Sequence, residues 1–301
     1  MSRTARFRLE AALAGAVGAF VRVLPRNTAR AIGRGLGRVW AALDRRHLAI
    51  AADNLRRAFP EWREEQVQRT ARAVYVHFAQ VMLELLWMPG RGRDELMSFV
   101  DGFGVEGAAA AETSGRGYIF VCAHFGNWEI HGISHAWRTG RPFGVIARPL
   151  DNPALDARLC GVRTMSGNTV IYKRRALQQV MRLLREGKGV AILIDQNVQE
   201  DDGIFVDFFG RKAATTTVAA ALAVKTGAYL IPSYAELQPD GRYRAVCEPP
   251  LAWTPSGNRD EDVRRLTQQM TAVIEGWIRR RPEQWLWMHR RWKTRPPDER
   301  P

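Results

Sequence analysis

The sequence predicts an α/β protein with a mostly parallel central sheet flanked by helices and with a helical N-terminal region. Between residues 115 and 235, short apolar runs alternate with amphipathic stretches, which is the pattern of parallel strands joined by helices. Before residue 90, apolar residues recur at helical spacing with arginines between them. An apolar share of 46% in 301 residues is enough for a sizeable core.

The segment 1–27 is predicted to associate with a membrane. Arg3, Arg6 and Arg8 precede the uncharged stretch 11–21. This stretch is too short to cross a bilayer as a helix, which takes about 20 residues. We favour a helix at the membrane surface with its arginines toward anionic headgroups. A helix packed on the protein core is the alternative.

Residues 28–301 are predicted to form a single α/β domain. A helical region, 28–90, comes first, a sheet core, 91–255, follows, and a C-terminal helix with a Trp-rich segment occupies 256–293. Another helical stretch lies between the first two strands. The other predicted helices are 28–58, 61–87, 153–165, 176–186, 217–226 and 260–280, and the predicted strands are 118–123, 143–147, 170–172, 190–194 and 228–233.

Near the C-terminus, Trp285, Trp287 and Trp292 stand among basic residues. Tryptophans beside basic side chains are typical of a membrane–water interface. A segment that packs on the sheet explains them equally well. Both interpretations stay open from the sequence alone.

The formal net charge of +14, from 45 Lys and Arg against 31 Asp and Glu, predicts an acidic partner. Anionic lipid, a phosphorylated substrate and an acidic protein all fit this charge. The chain has no zinc-finger spacing and no single-strand RNA signature, so nucleic acid is not among the predicted partners. Its three widely spaced cysteines predict neither a disulfide framework nor a zinc ribbon.

Polar side chains follow three of the predicted strands at the point where each strand ends. His124 follows the first strand, Arg148 the second and Asp195 the fourth. In open α/β sheets, ligands gather at the carboxyl ends of the strands. We therefore expect an imidazole, a guanidinium and a carboxylate at one edge of the sheet.

His124 and Glu129 lie in the segment 124–129, where residue types that can take part in catalysis are most concentrated. Five residues along a continuous helix correspond to about 500°, so the two side chains would point about 140° apart. They meet only if His124 lies in a turn and Glu129 in the first helical turn. Gly126 permits that turn, and Asn127 is a plausible N-cap. Glu129 would then accept a hydrogen bond from one imidazole nitrogen and leave the other basic; the alternative is a buried pair that only caps a helix.

The chain contains no Gly-x-Ser-x-Gly nucleophile motif. This absence favours direct attack by a substrate hydroxyl that His124 deprotonates.

Two other interpretations of the sequence stay open. His131 and His135 have the spacing of metal ligands on a helix, but no carboxylate set completes such a site, and neither a metal nor a cofactor is predicted. A non-catalytic basic membrane adaptor would explain the charge and the tryptophans, but not the polar residues at the strand ends.

Several motifs occur in a fixed order along the chain. They are 54–61, 124–129, 148–153, 195–197, 206–210 and 226–228, followed by the Trp-rich segment. In these stretches the chain resembles the lipid A biosynthesis acyltransferases of the lauroyl and myristoyl type. That family lies within the wider class of lysophospholipid and glycerolipid acyltransferases marked by His-x-x-x-x-Asp/Glu.

The resemblance implies catalytic roles for three residues. His124 would be the general base, Glu129 its orienting carboxylate, and Asp195 a second acidic residue near the histidine. The chain departs from the wider class in two places. Ala123 stands where that class often has Asn, and Glu129 stands where it usually has Asp. The glutamate is typical of the lipid A branch and favours a saccharolipid acceptor.

The resemblance also implies substrate-binding residues. Arg163 falls where the family has a functional arginine, and Arg163 or Arg148 would bind a phosphate of the acceptor or of the donor's pantetheine arm. Backbone N–H groups around Gly126 and Asn127, or an arginine, would stabilise the oxyanion.

The implied reaction moves a fatty acyl chain from a thioester, on acyl carrier protein or on coenzyme A, to a hydroxyl of a lipid A precursor. A mannolipid or a lysophospholipid is the alternative acceptor. The expected location is the cytoplasmic face of the bacterial inner membrane, where the basic chain would meet anionic lipid.

Overall fold

Helices and strands alternate along most of the chain in the computed structural model, which describes residues 2–103, 105–172 and 176–299. The helices are α1 (Arg3–Arg22), α2 (Arg26–Leu43), α3 (Arg45–Ala58), α4 (Glu64–Trp87), α5 (Arg93–Met97), α6 (Val105–Thr113), α7 (Trp128–Thr139), α8 (Pro153–Thr164), α9 (Ala176–Arg185), α10 (Val218–Thr226) and α11 (Arg259–Arg280). The strands are β1 (Val100–Phe103), β2 (Tyr118–Cys122), β3 (Gly144–Ala147), β4 (Thr169–Tyr172), β5 (Gly189–Leu193), β6 (Gly203–Phe208), β7 (Arg211–Thr216), β8 (Tyr229–Leu237) and β9 (Tyr243–Cys247).

Seven strands form the central sheet in the order β1-β9-β8-β2-β5-β3-β4. Neighbouring strands are parallel, except for β8 and β9, which are antiparallel. The predicted fold class, a mostly parallel sheet flanked by helices, is therefore confirmed. The strands β6 and β7 form a separate antiparallel hairpin. The sequence prediction had assigned neither this hairpin nor β1 and β9.

Strand β2 lies in the middle of the sheet, and all five of its residues are buried. On one face, the ring of Phe120 packs against Phe143, with the ring centroids 5.0 Å apart. On the other face, Ile119 and Val121 belong to the main core beneath α10 and α11. A strand that is covered on both faces needs apolar residues at every position, which explains why the continuous run was visible in the sequence.

The helical region before the sheet is built on the packing of α2 against α4. Gly37 permits the close approach, because a Cβ atom at this position would lie 2.5 Å from the Cα atom of Val76. The predicted helix 28–58 is in fact two helices. Its chain turns at Asp44, whose side chain accepts a hydrogen bond from the backbone N–H of His47 and caps α3.

Helix α1 packs against α4 and α8. Asn152, which caps α8, donates a hydrogen bond of 2.9 Å to the backbone carbonyl of Phe7. Within the described part of the chain, no helix combines the length and apolar character needed to cross a membrane.

The C-terminal tryptophans lie in the core. Trp285 and Trp287 have no exposed surface, and Trp292 is 7% exposed. The rings of Trp285 and Trp292 pack on Phe208 at 5.5 and 5.7 Å. Of the two interpretations that the sequence left open, the packed segment is the one found, and the membrane-interface interpretation of these tryptophans is wrong.

Candidate active site

The imidazole of His124 and the carboxylate of Asp195 meet at the carboxyl edge of the sheet. Each residue lies two positions beyond the end of its strand, and those strand ends, Cys122 and Leu193, are paired. Asp195 accepts a hydrogen bond of 2.9 Å from the backbone N–H of His124 and another of 2.9 Å from its Nδ1 atom. The pairing of β2 with β5 therefore brings together the two residues that the strand ends predicted.

Asp195 is 4% exposed and accepts a third hydrogen bond, of 2.7 Å, from the indole N–H of Trp285. Burial alone would raise the pKa of Asp195, but the charge that His124 carries when it is protonated and the hydrogen bonds from His124 and Trp285 outweigh it and lower the pKa to about 2. An ionised carboxylate can only accept hydrogen bonds, so Nδ1 of His124 holds the proton and Nε2 remains the basic nitrogen. The side-chain amide of Gln196 lies 3.4 Å from this Nε2 atom.

Glu129 has a different partner from the predicted one. Its carboxylate is bound by the guanidinium of Arg163, with Nε 2.9 Å from Oε2 and 3.0 Å from Oε1, and by the indole N–H of Trp128 at 3.0 Å. The expected hydrogen bond from the imidazole to Glu129 is thus replaced by the bond to Asp195. Because α7 begins at Trp128, Glu129 lies in its first turn and faces α8, which carries Arg163.

Trp128 connects the His124–Asp195 pair with the Arg163–Glu129 ion pair. Its ring lies edge-on against the imidazole of His124, with the centroids 5.0 Å apart and the planes inclined at 68°. Arg163 uses Nε and Nη2 for Glu129, and its side chain, 15% exposed, lines the adjoining cleft. Arg148 is exposed and lies on the rim of the same cleft. Both predicted arginines are therefore at the site, but only one is tied to a carboxylate among the described residues.

Gly126 and Asn127 were predicted to bind substrate, but their backbone N–H groups and the Asn127 side chain form hydrogen bonds within the protein. The N–H of Gly126 donates to the carbonyl of Gln284, and the N–H of Asn127 donates to the carbonyl of Ala235, both at 2.9 Å. The Asn127 side chain is buried and caps α7. This placement argues against the predicted role, because neither N–H remains available for an oxyanion.

The glycine at position 126 is required by this arrangement. Its φ angle is +60°, and an added Cβ atom would lie 1.8 Å from the carbonyl oxygen of Ala235. Its own carbonyl accepts a hydrogen bond of 3.0 Å from His77. Gly126 therefore fixes the path of the chain between His124 and α7.

A cleft of about 860 Å³ opens beside His124. Strands β3 and β5 are paired only at Gly144–Val190 and Val145–Ala191, and the cleft passes between the ends of the two strands to both faces of the sheet. We define the inner lobe as the part beneath α7, lined by Phe120, Cys122, His131, Phe143, Val145, Asn168, Ala191, Leu193 and Ser233. The outer lobe is the part beneath α9 and α10, lined by Ile146, Ala176, Leu177, Val180, Ile192, Ile194, Val218 and Leu222. Apart from four polar or sulfur-containing side chains in the inner lobe, both linings are hydrocarbon.

Of the two histidines considered as metal ligands, His135 has other hydrogen-bond partners. Nε2 of His135 lies 2.7 Å from the carboxylate of Glu112, and its Nδ1 lies 3.4 Å from Sγ of Cys247. Among the residues that the structure describes, no three His, Cys, Asp or Glu side chains are grouped so as to hold a metal ion. The spacing of His131 and His135 therefore gives no support to the metallohydrolase reading.

Three histidines whose pKa is lowered predict that folding is sensitive to acid. Burial lowers the pKa of His77 and His289 to about 4 and that of His131 to about 3. Since the ordinary pKa is about 6.5, the unfolded chain binds more protons than the folded one below that pH. Each neutral histidine thus contributes stability that is complete above about pH 6.5 and is lost as the pH falls toward the folded-state pKa.

We therefore expect the free energy of unfolding to decrease by about 1.4 kcal/mol per pH unit for each of these histidines below about pH 6. Urea unfolding between about pH 7 and pH 5 measures the slope. In His77→Gln, the amide can still bond to the Gly126 carbonyl but does not titrate, so the slope should become smaller. An unchanged slope would contradict this account.

Three residues of the site were missed from the sequence. Trp128 and Gln196 lie next to predicted residues within the matching motifs, so their motifs could have indicated them. Trp285 lies far along the chain from Asp195, and only its membership of the Trp-rich segment singled it out.

Comparison with known proteins gives matches over nearly the whole chain. The family model described as bacterial lipid A biosynthesis acyltransferase matches residues 5–294. A lipid A biosynthesis lauroyltransferase of Escherichia coli (strain K12) is 28% identical over 285 residues, which cover 91% of this chain and 88% of that protein. A lipid A biosynthesis palmitoleoyltransferase of the same strain is 27% identical, covering 89% and 86%. A phosphatidylinositol mannoside acyltransferase of Mycolicibacterium smegmatis (strain ATCC 700084 / mc(2)155) is 26% identical, covering 76% and 74%.

Proposed function

The chain belongs to the bacterial lipid A biosynthesis acyltransferase family, and from this premise we propose that it moves a fatty acyl chain from a thioester to a hydroxyl of a lipid A precursor, with His124 as the general base. One observation supports this assignment above the others. Nε2 of His124, kept basic by the bond from Nδ1 to Asp195, borders a cleft with a largely hydrocarbon lining.

The proposed reaction begins when Nε2 of His124 accepts the proton of the acceptor hydroxyl. The hydroxyl oxygen attacks the thioester carbonyl and forms a tetrahedral intermediate. When the intermediate collapses, the carbon–sulfur bond breaks, and the thiolate takes the proton from Nε2. The ionised carboxylate of Asp195 stabilises the imidazolium that exists between these two transfers.

The oxyanion of the intermediate needs hydrogen-bond donors. Since the N–H groups of Gly126 and Asn127 bond elsewhere in the protein, we assign this role to the side-chain amide of Gln196, which lies 3.4 Å from Nε2 of His124. Arg163 completes the wall of the site, and its ion pair with Glu129 fixes its position. Exposed Arg148, on the rim, would bind a phosphate of the acceptor or of the donor.

We propose acyl carrier protein as the donor, because a net charge of +14 favours an acidic carrier. Coenzyme A is the alternative donor. A mannolipid is the second candidate acceptor, because a relative named as a phosphatidylinositol mannoside acyltransferase covers 76% of this chain. A lysophospholipid is a third.

Purified protein can be tested with a dodecanoyl group on acyl carrier protein or on coenzyme A, and with each of the three acceptors. We expect the highest kcat/KM for the carrier-bound donor with the lipid A precursor. A preference for the mannolipid would change the acceptor but preserve the chemistry. Absence of transfer to every acceptor would overturn the proposed function.

The exposed face of α1 supports a location at the membrane. Leu9, Leu13, Val17 and Phe20 recur every three or four residues and are 42–58% exposed, so they form one apolar stripe. Exposed apolar side chains also lie at the mouth of the cleft, at positions 150, 177 and 218. We propose that the segment before residue 28 lies on the anionic surface of the cytoplasmic face of the bacterial inner membrane.

Substitution of Leu13 and Phe20 by glutamate is expected to release the protein from vesicles, because two charges would enter the lipid-facing stripe and repel anionic headgroups. Flotation with vesicles that contain anionic lipid measures the bound fraction, and we expect it to fall at least about tenfold. Leu43→Glu is the control, since Leu43 is 77% exposed on α2, outside the stripe. Equal binding of the double variant and the wild type would exclude α1 as the contact.

A further inference from the structure

Arg291, in the Trp-rich segment, is a cation buried inside the protein, with only 1% of its surface exposed. Its guanidinium donates to the backbone carbonyl of Ala214 at 2.6 Å and to the hydroxyl of Thr215. Both of these oxygens are uncharged. Among the residues that the structure describes, its Nε atom has no hydrogen-bond partner. Since arginine is almost never fully buried without a compensating charge, the guanidinium requires a counter-charge elsewhere in the fold.

Asp195 presents the opposite case, a buried carboxylate that requires a cation. It accepts hydrogen bonds from His124 and from the indole of Trp285. To act as a base, His124 has to be neutral before the reaction, so the pair of His124 and Asp195 then carries one negative charge. A buried charge is costly unless it is compensated. The resting site therefore needs a positive charge that does not come from the imidazole.

A short series of aromatic contacts joins Arg291 to Asp195. The guanidinium lies over the ring of Phe208, 5.2 Å from its centroid. Phe208 packs on Trp285, with the ring centroids 5.5 Å apart, and Trp285 donates to Asp195 at 2.7 Å. Burial lowers the pKa of Arg291 to about 10, and the attraction of Asp195 opposes this decrease. The guanidinium thus stays charged near pH 7, and water screens a buried pair only weakly.

Two other titratable groups that interact with Asp195 are neutral near pH 7. The Nε2 atom of His289 accepts a hydrogen bond of 3.1 Å from the backbone N–H of Asn197, and burial lowers the pKa of this histidine to about 4. Burial raises the pKa of the Cys122 thiol to about 12. Neither group therefore supplies the positive charge that Asp195 requires.

We propose that Arg291 is the counter-charge of Asp195 and thereby sets the pH range in which His124 acts as the base. Arg291 does not line the cleft, so it is a positioning residue that acts through the carboxylate. On the other side of the imidazole, Arg163 and Glu129 form an ion pair whose charges cancel. This inference rests on the proposed function in that His124 accepts the proton of the acceptor hydroxyl.

Removal of the Arg291 charge should shift the acidic limb of the pH profile to higher pH. The guanidinium offsets the negative charge of Asp195, which would otherwise favour protonation of His124. In Arg291→Gln the imidazole is expected to be protonated, and so inactive as a base, at a higher pH. We expect the acidic limb of kcat/KM to move upward by about one pH unit, measured from about pH 5 to pH 9 with dodecanoyl acyl carrier protein and the lipid A precursor.

Two variants serve as matched controls for this profile. Arg291→Lys keeps the charge and should leave the limb in place. Arg290→Gln removes one positive charge from the neighbouring, exposed position and should also leave it in place. A purely structural role of Arg291, through Ala214 and Thr215, would lower the rate equally at every pH. An unmoved limb in Arg291→Gln, or an equal displacement in Arg291→Lys, would overturn the inference.

A stability measurement separates this inference from the proposed function, because it requires no turnover. Urea unfolding is compared for the wild type, Arg291→Gln, Asp195→Asn and the double variant. If the two charges compensate each other, Arg291→Gln should lower the urea midpoint at most about half as much in the Asp195→Asn background as in the wild type. Should Arg291→Gln alone lack a cooperative transition, the double variant is expected to regain one.

Equal decreases in both backgrounds, or a double variant that also fails to unfold cooperatively, would overturn the pairing of Arg291 with Asp195. If no donor supports transfer but the decreases differ as expected, the proposed function fails and the pairing stands. If transfer occurs and the decreases are equal, the pairing fails and the function stands.

Discussion

His124→Ala is expected to lower the rate of acyl transfer by about 10³-fold, because it removes the proposed general base, and a general base typically contributes about 10²- to 10⁴-fold. Asp195 would keep its bond to the indole of Trp285, so the fold should persist. Mass spectrometry of lipids from cells that lack the gene, complemented with wild type or with His124→Ala, measures the result. We expect one acyl chain to disappear from lipid A and only the wild type to restore it.

The control for this experiment is His47→Ala, because the His47 side chain is 47% exposed on α3 and lies outside the cleft lining. This variant should restore the acyl chain. Loss of the chain from another lipid would preserve the mechanism and change the acceptor. Full restoration by His124→Ala would refute the catalytic role and favour a non-catalytic basic membrane adaptor.

Asp195→Asn is expected to lower kcat by about 10³-fold with little change in KM, because the buried carboxylate acts through the imidazole. An amide at this position can present its NH₂ group to Nδ1. The proton of the imidazole then moves to Nε2, which can no longer accept one. The KM separates this effect from misfolding, since a folded protein with the wrong tautomer keeps its affinity for substrate.

Glu129→Gln provides the matched comparison, since Glu129 is the carboxylate that the sequence had paired with His124. In the structure it binds Arg163, so the neutral amide should disturb the cleft wall and affect KM more than kcat. A larger loss of kcat in Glu129→Gln than in Asp195→Asn would contradict the assignment of Asp195 as the partner of the imidazole. The two variants together therefore decide which carboxylate orients the base.

The sequence predicted correctly those elements whose residue pattern has only one physical explanation. A fully buried parallel strand needs a continuous apolar run, so β2 and β5 could be identified, and with them the meeting of His124 and Asp195 at the strand ends. β9 has exposed Arg244 between buried Tyr243 and Ala245, and so short an alternation does not distinguish a strand from a loop.

The partner of Glu129 was beyond sequence reasoning, because it depends on how α7 is rotated relative to α8. A five-residue separation shows that two side chains can meet, but not that a third residue approaches one of them more closely. The same limit applies to Gly126, whose conformation was anticipated but whose N–H bonds to the carbonyl of Gln284, a residue distant in the chain. Contacts between segments that are distant in the sequence determine both the partner of Glu129 and the hydrogen bond of the Gly126 N–H.

The C-terminal Trp-rich segment also determines when the site is completed. Trp285 donates to Asp195, and the N–H of Leu286 donates to the carbonyl of His124, so the geometry of His124 and Asp195 depends on residues made after the sheet. Helix α1 leaves the ribosome long before Trp285 does. A nascent chain thus presents α1 while His124 and Asp195 are still unsupported, and the proposed site is complete only once synthesis has passed this segment.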